Sequence, residues 1–278
     1  MSGRIRVRLD IAYVGARFSG WQEQPQHRTV QGEIKREVSY LVGRPVTVTG
    51  AGRTDTGVNA RGQVAHLDLA SHDEFERIER ALDRRVPDDI RIVQARIVSP
   101  SFHAIRSATA RLYHYHLLLC DDLFRPYAWP LHWKLDRERM DASAAVFCGE
   151  HDFSSFCKTS SLKDDGNRCR LDLCTFDWSD DSAILRVRGN RFLHHMVRIL
   201  AGTLVEIGRG VRPARDATRI LAARDRSEAG CMAPAAGLFL EEVSYPEILL
   251  DPGYREPDDP NVGTEPTDSD TECPTKER

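Results

Sequence analysis

Residues 50–63, GAGRTDTGVNARGQ, set Asp55 two positions after Arg53 inside a frame of four glycines, Gly50, Gly52, Gly57 and Gly62. An ionised carboxylate serves as nucleophile, base or electrostatic stabiliser. In a low-dielectric pocket it stays charged only beside a cation, and a neighbouring arginine lowers a carboxylate pKa by about 1–3 units. Three other readings compete for this stretch. A dinucleotide loop, G-x-G-x-x-G, starts well at Gly50 and Gly52 but needs its third glycine where Asp55 stands. Asp55-Thr56-Gly57 matches the triplet of aspartic proteases, which share one proton between two carboxylates. The chain has no second D-[ST]-G, so only a symmetric dimer would supply the other acid. Asp and Gly are also ordinary turn residues, which explains a short D-x-G but not the full stretch.

Other residues of chemical interest lie downstream. Tyr113 falls in ARLYHYHL, flanked by His114 and His116, two imidazoles at a chelating spacing on one strand face. No third ligand is identifiable from the sequence, so phosphate or ribose contact, or packing, outranks metal binding. His194 and His195 are adjacent. The segment 192–207 is predominantly apolar, with Arg191, His195 and Arg198 at i, i+4 and i+7. That pattern predicts a buried helix with a polar stripe, on which a charge is costly unless paired. An arginine snorkelling over the helix surface is the alternative.

Several elements must hold these residues. RIRVRLDIAY (4–13) alternates strictly, predicting a half-buried strand with a solvated or ligand-facing basic side. Val30, Ile34, Val38 and Leu41 predict a helix that Thr29 caps and Gly43 stops. Short strands are expected at about 45–49 and 62–69, a helix capped by Asp73, and a strand near 90–98. The second part predicts strands at 110–119, 169–178, 183–188 and 237–245. Helices are expected over 136–148, over 192–207 ending at Gly208, and from Pro213 to about 223. Strands with interspersed helices, lacking strict βαβα order, point to α+β with a mostly antiparallel sheet.

Composition narrows the function classes. The 278 residues carry a net charge of −3, but residues 251–278 account for −6 of it, with nine acids against three bases. That stretch has five prolines and one aromatic, Tyr254, and is expected to be disordered. Of 39 basic residues 34 are arginine, whose planar fork suits phosphate contacts and base stacking; a GC-rich genome would give the same bias. No run of 18 apolar residues exists and the N-terminus lacks an apolar signal core, so a cytoplasmic protein without membrane contact is expected. The seven cysteines are scattered, and Cys169 and Cys174 are not at C-x-x-C spacing, which favours reduced thiols.

The stretch GAGRTDTGVNARGQVAHLDL resembles the signature loop of the tRNA pseudouridine synthase A family, whose usual form is G-[AC]-G-R-T-D-A-G-V-H-A-x-G-Q-V. YVGARFSGWQEQPQHRTVQGEIKREV, SFHAIRSATARLYHYHL, HDFSSFC, GNRFLHHMVRILAGTLVEIGRG and DRSEAGCMAPAAGLFLEEVSYP resemble the family's other blocks, in family order, over residues 5–246. The resemblance implies an isomerase that breaks the C1′–N1 bond of a uridine, turns the uracil and rejoins C1′ to C5, with no cofactor and no metal. It implies Asp55 as the catalytic residue and Arg198, in HHMVR, as its partner. Tyr113 then stacks on the flipped base or assists proton removal from C5, and Arg53 contacts phosphate or shapes the loop, with pairing to Asp55 as the alternative. The implied substrate is tRNA, at uridines 38, 39 and 40 of the anticodon arm, bound by a homodimer.

The implied fold is two similar ferredoxin- or RRM-like halves forming one extended, mostly antiparallel sheet flanked by helices, with the active-site cleft between them. The expected division is 1–104 with the Asp55 loop, 105–250 with Tyr113 and Arg198, and the tail 251–278. Three positions depart from the family pattern. Thr56 stands for the common alanine, Asn59 for a usual histidine, and Ile105 where arginine is frequent, with Arg106 following.

Overall fold

In the computed structural model, residues 4–161 and 166–255 are described. β1 (Ile5–Tyr13) follows the alternation: Val7, Leu9 and Ile11 are fully buried. Its basic side is occupied from within the chain rather than offered to solvent or ligand. Arg6 grips Asp68 with two hydrogen bonds of 2.8 and 2.9 Å, and Asp10 binds both Arg8 and Arg96. α1 (Val30–Val42) starts where the Thr29 hydroxyl accepts the Gly32 N–H, and it ends at Gly43. Next come β2 (Thr49–Gly50), β3 (Asn59–Leu69), α2 (His72–Arg85) and β4 (Ile90–Val98). Ser71, not Asp73, caps α2, its hydroxyl accepting from the Glu74 N–H. Asp73 instead lies in the first turn, where its charge complements the helix dipole.

The chain continues through β5 (Ala110–Leu118), β6 (Trp129–Pro130), α3 (Arg137–Ala145), β7 (Gly149–Asp152), β8 (Arg168–Trp178) and β9 (Ser182–Gly189). It ends with α4 (Met196–Gly208), α5 (Asp216–Ala223) and β10 (Leu238–Ser244). α4 begins four residues later than the apolar pattern predicts, because His195 adopts a left-handed backbone with φ 68°. Arg191, His195 and Arg198 are therefore not a stripe on one helix. α5 likewise starts after Pro213, which opens a preceding turn by accepting the Asp216 N–H.

One sheet collects the strands in the order β4-β1-β3-β10-β5-β9-β8-β7, with β2 beside β3 and β6 beside β5. Pairing is antiparallel except for the short β3–β10 and β5–β6 contacts. Five helices flank the sheet among the described residues, and the fold is α+β as the strand-rich order predicts. Two hydrophobic cores form. One joins α1, α2 and the β1–β3–β4 strands with Leu240, Val243 and Leu249. The other joins α3, α4 and α5 with β5, β8 and β9, and also takes Val58 from the Asp55 loop. Tyr113 packs against both. Of the acidic stretch, only residues 251–255 are described. There Tyr254 packs against the first core and its carbonyl accepts from the Ser99 hydroxyl at 2.8 Å. The rest of the expected disordered tail, 256–278, lies outside the described residues.

Candidate active site

The loop carrying Asp55 spans the gap between β2 and β3 and is tied down along its length. The Ala51 N–H donates to the Val64 carbonyl (2.7 Å), Gln63 Nε2 to the Gly52 carbonyl (2.8 Å), and the Trp21 N–H to the Thr54 carbonyl (3.1 Å). The buried Tyr13 and Thr54 hydroxyls share a hydrogen bond of 2.7 Å. Two glycines make this geometry possible. A Cβ on Gly20, whose φ is +90°, would lie 2.7 Å from the Thr54 carbonyl oxygen, so only glycine lets the 15–21 segment press on the loop. Gly57, with φ +78°, turns the chain sharply after Asp55. The carboxylate is thus presented from a backbone with little freedom.

Asp55 is met by three groups from the other side of the molecule. Arg198 Nη1 lies 3.3 Å from Oδ2, His194 Nε2 lies 3.3 Å from Oδ1, and His195 Nε2 lies 3.5 Å from Oδ2. Arg198 is only 9% exposed and is locked by a 2.8 Å bond from Nε to the Ala233 carbonyl. It sits in the first turn of α4, so the positive end of the helix dipole adds to its charge at the carboxylate. The left-handed turn at His195 that delays α4 also folds both imidazoles back onto Asp55, their rings 4.0 Å apart. Burial holds the His195 pKa below the ordinary histidine value, against the pull of Asp55 in the other direction. His194 is further fixed by a 2.9 Å hydrogen bond between Nδ1 and the Ser161 hydroxyl.

The two tyrosines of β5 separate cleanly. Tyr115 is fully buried, its hydroxyl donating to the Pro234 carbonyl at 2.8 Å, which makes it a core residue. Tyr113 is half-buried and has an edge contact with Phe192 at 4.9 Å between centroids. Burial pushes its phenol up to about 12, with Arg111 opposing the rise and the nearby Asp55 adding to it. The Tyr113 hydroxyl faces the Asp55 loop, 3.9 Å from where a Cβ on Gly52 would lie, and makes no hydrogen bond among the described residues. The structure thus brings Asp55, Arg198 and Tyr113 together.

Arg53 goes elsewhere. Its side chain is exposed and makes no ion pair among the described residues, so the cation against Asp55 is Arg198. Thr56 is exposed too, and its hydroxyl makes no hydrogen bond among the described residues. Ile105 and Arg106 are also exposed. Asn59, by contrast, bridges two segments. It is buried at 1% exposure, its Oδ1 accepts the Gly15 N–H (2.9 Å) and its Nδ2 donates to the Ala236 carbonyl (2.8 Å). It thereby joins the 15–21 segment to the segment that locks Arg198. Sequence reasoning singled out His194, His195 and Asn59 but did not place the histidines at Asp55 or Asn59 as the tie beneath it. The signal for the histidines was an adjacent pair just ahead of a buried arginine.

Two groups among the described residues have the composition to hold a metal ion: Asp55 with His194 and His195, and His114 with His116 and Glu241. In the first, the immovable Arg198 guanidinium already supplies the positive charge at Asp55. The chemistry open to that group is nucleophilic or acid–base work by one carboxylate.

An enzyme class that works with a lone acid on a glycine-framed loop, opposed by an arginine from a distant helix, fits this arrangement. Residues 11–105 and 143–246 match the family model described as tRNA pseudouridine synthase, and the chain belongs to that family. It is 42% identical over 239 residues to a tRNA pseudouridine synthase A of Halalkalibacterium halodurans, covering 84% of this chain and 90% of that one. It is 41% identical to a protein of that name from Maridesulfovibrio salexigens, covering 87% and 91%. A third, from Brevibacillus brevis, is 42% identical, covering 86% and 99%. Every element around Asp55 falls within the matched residues except Tyr113, which lies in the interval between the two matched segments. No helix among the described residues is long and apolar enough to cross a membrane.

Proposed function

We propose that this protein is an isomerase converting uridine to pseudouridine in tRNA, and that Asp55 carries the reaction without a cofactor. The observation that carries the proposal is the contact between Asp55 and the buried, anchored Arg198. It occurs in a chain whose family and relatives are tRNA pseudouridine synthases. In the net reaction the C1′–N1 bond breaks, a C1′–C5 bond forms, C5 gives up its proton and N1 gains one. No net oxidation or reduction occurs, and the roles open to Asp55 are attack on C1′, addition to the base, and removal of a ribose proton. Arg198 holds a guanidinium 3.3 Å from the Asp55 carboxylate, Tyr113 stacks on the extruded uracil and orients it for the C5 proton to leave, and Arg53 contacts the phosphate backbone.

The reading extends to uridines 38, 39 and 40 of the anticodon arm, to a cytoplasmic homodimer, and to the division of the chain at 1–104 and 105–250. Reaching neighbouring uridines with one aspartate requires recognition by tRNA shape and phosphate position more than by base edges. The experiment is incubation of the purified protein with unmodified tRNA, followed by position-resolved mapping of pseudouridine. Product confined to 38–40 supports the full proposal. Product elsewhere keeps the activity and discards the site assignment, and binding without product reduces the protein to an RNA-binding module.

A further inference from the structure

Strand β5 exposes a second chemistry on its opposite face. Side chains alternate along a strand, so His114 and His116 point away from Tyr113 and Tyr115. Across from them on β10, the pairing shifts between Leu240 and Glu242, which leaves Glu241 as the extra residue of a bulge. Bulges re-aim side chains, and this one brings Glu241 to the histidines: His114 Nδ1 lies 3.5 Å from its Oε1. One donor atom from each of His114, His116 and Glu241 lies within 4.8 Å of the others. The Nε2 atoms of both histidines are buried with no hydrogen-bond partner among the described residues. Two orphaned imidazole nitrogens on one face are uncommon in a folded protein, where nearly all buried polar atoms are satisfied.

We infer that His114, His116 and Glu241 form a divalent-metal site, best suited to zinc, that clamps β5 to β10. Two histidines and a glutamate are an established zinc donor set, leaving a fourth position open to water. Zinc bonds to nitrogen and oxygen are about 2.0–2.2 Å long, so the donors must close from their present spacing to roughly 3.3 Å apart, a side-chain movement on the order of 1 Å. The competitor is Arg61, which lies 2.7 Å from Glu241 Oε1 and over the Phe239 ring. Its side chain is 56% exposed, so it can swing into solvent when a cation arrives. His116 and Arg61 both line an open cavity of about 610 Å³, which gives an ion its path from solvent. The site is independent of the reaction at Asp55 and supplies no group to it.

The test uses metal-free full-length protein titrated with zinc chloride, and with cobalt chloride to read coordination from visible absorption. One zinc per chain is expected, with a tetrahedral cobalt spectrum and a raised thermal midpoint. In His116→Ala the affinity falls by about a hundredfold or more. Glu241→Gln, which keeps the bulge and the side-chain volume, must weaken binding as well, and serves if the alanine variant folds poorly. His194→Ala must leave zinc binding unchanged. The inference is overturned if no zinc binds at millimolar concentration. It is equally overturned if binding persists in His116→Ala and Glu241→Gln but is lost in His194→Ala, which would put the ion at Asp55.

Discussion

Two clusters in this molecule have the same inventory: one carboxylate, two histidines and one arginine. At the first, Asp55 faces His194, His195 and Arg198; at the second, Glu241 faces His114, His116 and Arg61. Residue types do not distinguish them. The arginines do. Arg198 is buried, tied through Nε to a backbone carbonyl, and has nowhere to go, whereas more than half of Arg61 is in water. A permanent internal cation makes a carboxylate available for chemistry at no reorganisation cost. A displaceable one leaves it available as a ligand.

The largest expected difference is between the carboxylates. Asp55→Asn should lower isomerisation by at least about a thousandfold, in the range a positioned acid or base contributes, while tRNA affinity stays within a few-fold; filter binding beside product mapping measures both. The arginines come next. Arg198→Ala strands a carboxylate in a mostly dry site and should cost about 3 kcal/mol of stability, whereas Arg61→Ala should cost less than about 1 kcal/mol. Urea unfolding of the two variants checks the contrast, and equal losses would erase the distinction.

A third pair of histidines calibrates how this protein treats buried imidazoles outside either cluster. His66 accepts the Ala104 N–H on Nδ1, and His103 accepts those of Ile105 and Arg106. Burial, helped by nearby arginines, pushes His66 down to about 3 and His103 down to about 4. Both are bases with depressed folded-state pKa values, so below the unfolded value of about 6.5 the unfolded chain binds more protons. Stability should therefore fall as pH drops from about 6.5 toward 4, with about 2 kcal/mol of loss from His66 between pH 7 and pH 5. Denaturant titrations at the two pH values measure it, and His66→Asn should flatten the slope. The smallest effects separate the tyrosines of β5. Tyr115→Phe leaves the Pro234 carbonyl without its donor and should cost about 1 kcal/mol. Tyr113→Phe should leave the melting temperature unchanged and slow the reaction if its hydroxyl takes part in moving the C5 proton.

Much of this was legible in the chain. Thr29 and Gly43 mark both ends of α1 because capping is local chemistry. Arg198 was legible because a charge amid Met196, Val197, Ile199 and Leu200 must find a partner. The late start of α4 was not, since apolar spacing runs straight through 192–195 and nothing in it reveals that His195 turns left-handed. That turn is what puts His194 and His195 on Asp55, about 140 residues away in sequence. β7 was invisible because GEHD has neither alternation nor branched residues. Glu241 was hidden for a similar reason. In GLFLEEVSY a bulge looks like one more polar position, and only the strand pairing shows which glutamate has been re-aimed.

The central claim is that Asp55, held by Arg198, isomerises uridine in tRNA with no metal taking part. Forming the C1′–C5 bond expels the proton on C5, so tRNA carrying tritium at C5 of its uridines reports the chemical step itself. Wild-type protein in the presence of a strong chelator should release tritium in step with pseudouridine formed, and folded Asp55→Asn should release it at least about a thousandfold more slowly. Release from Asp55→Asn at a rate near the wild-type one, or loss of wild-type release on chelation, would contradict the account.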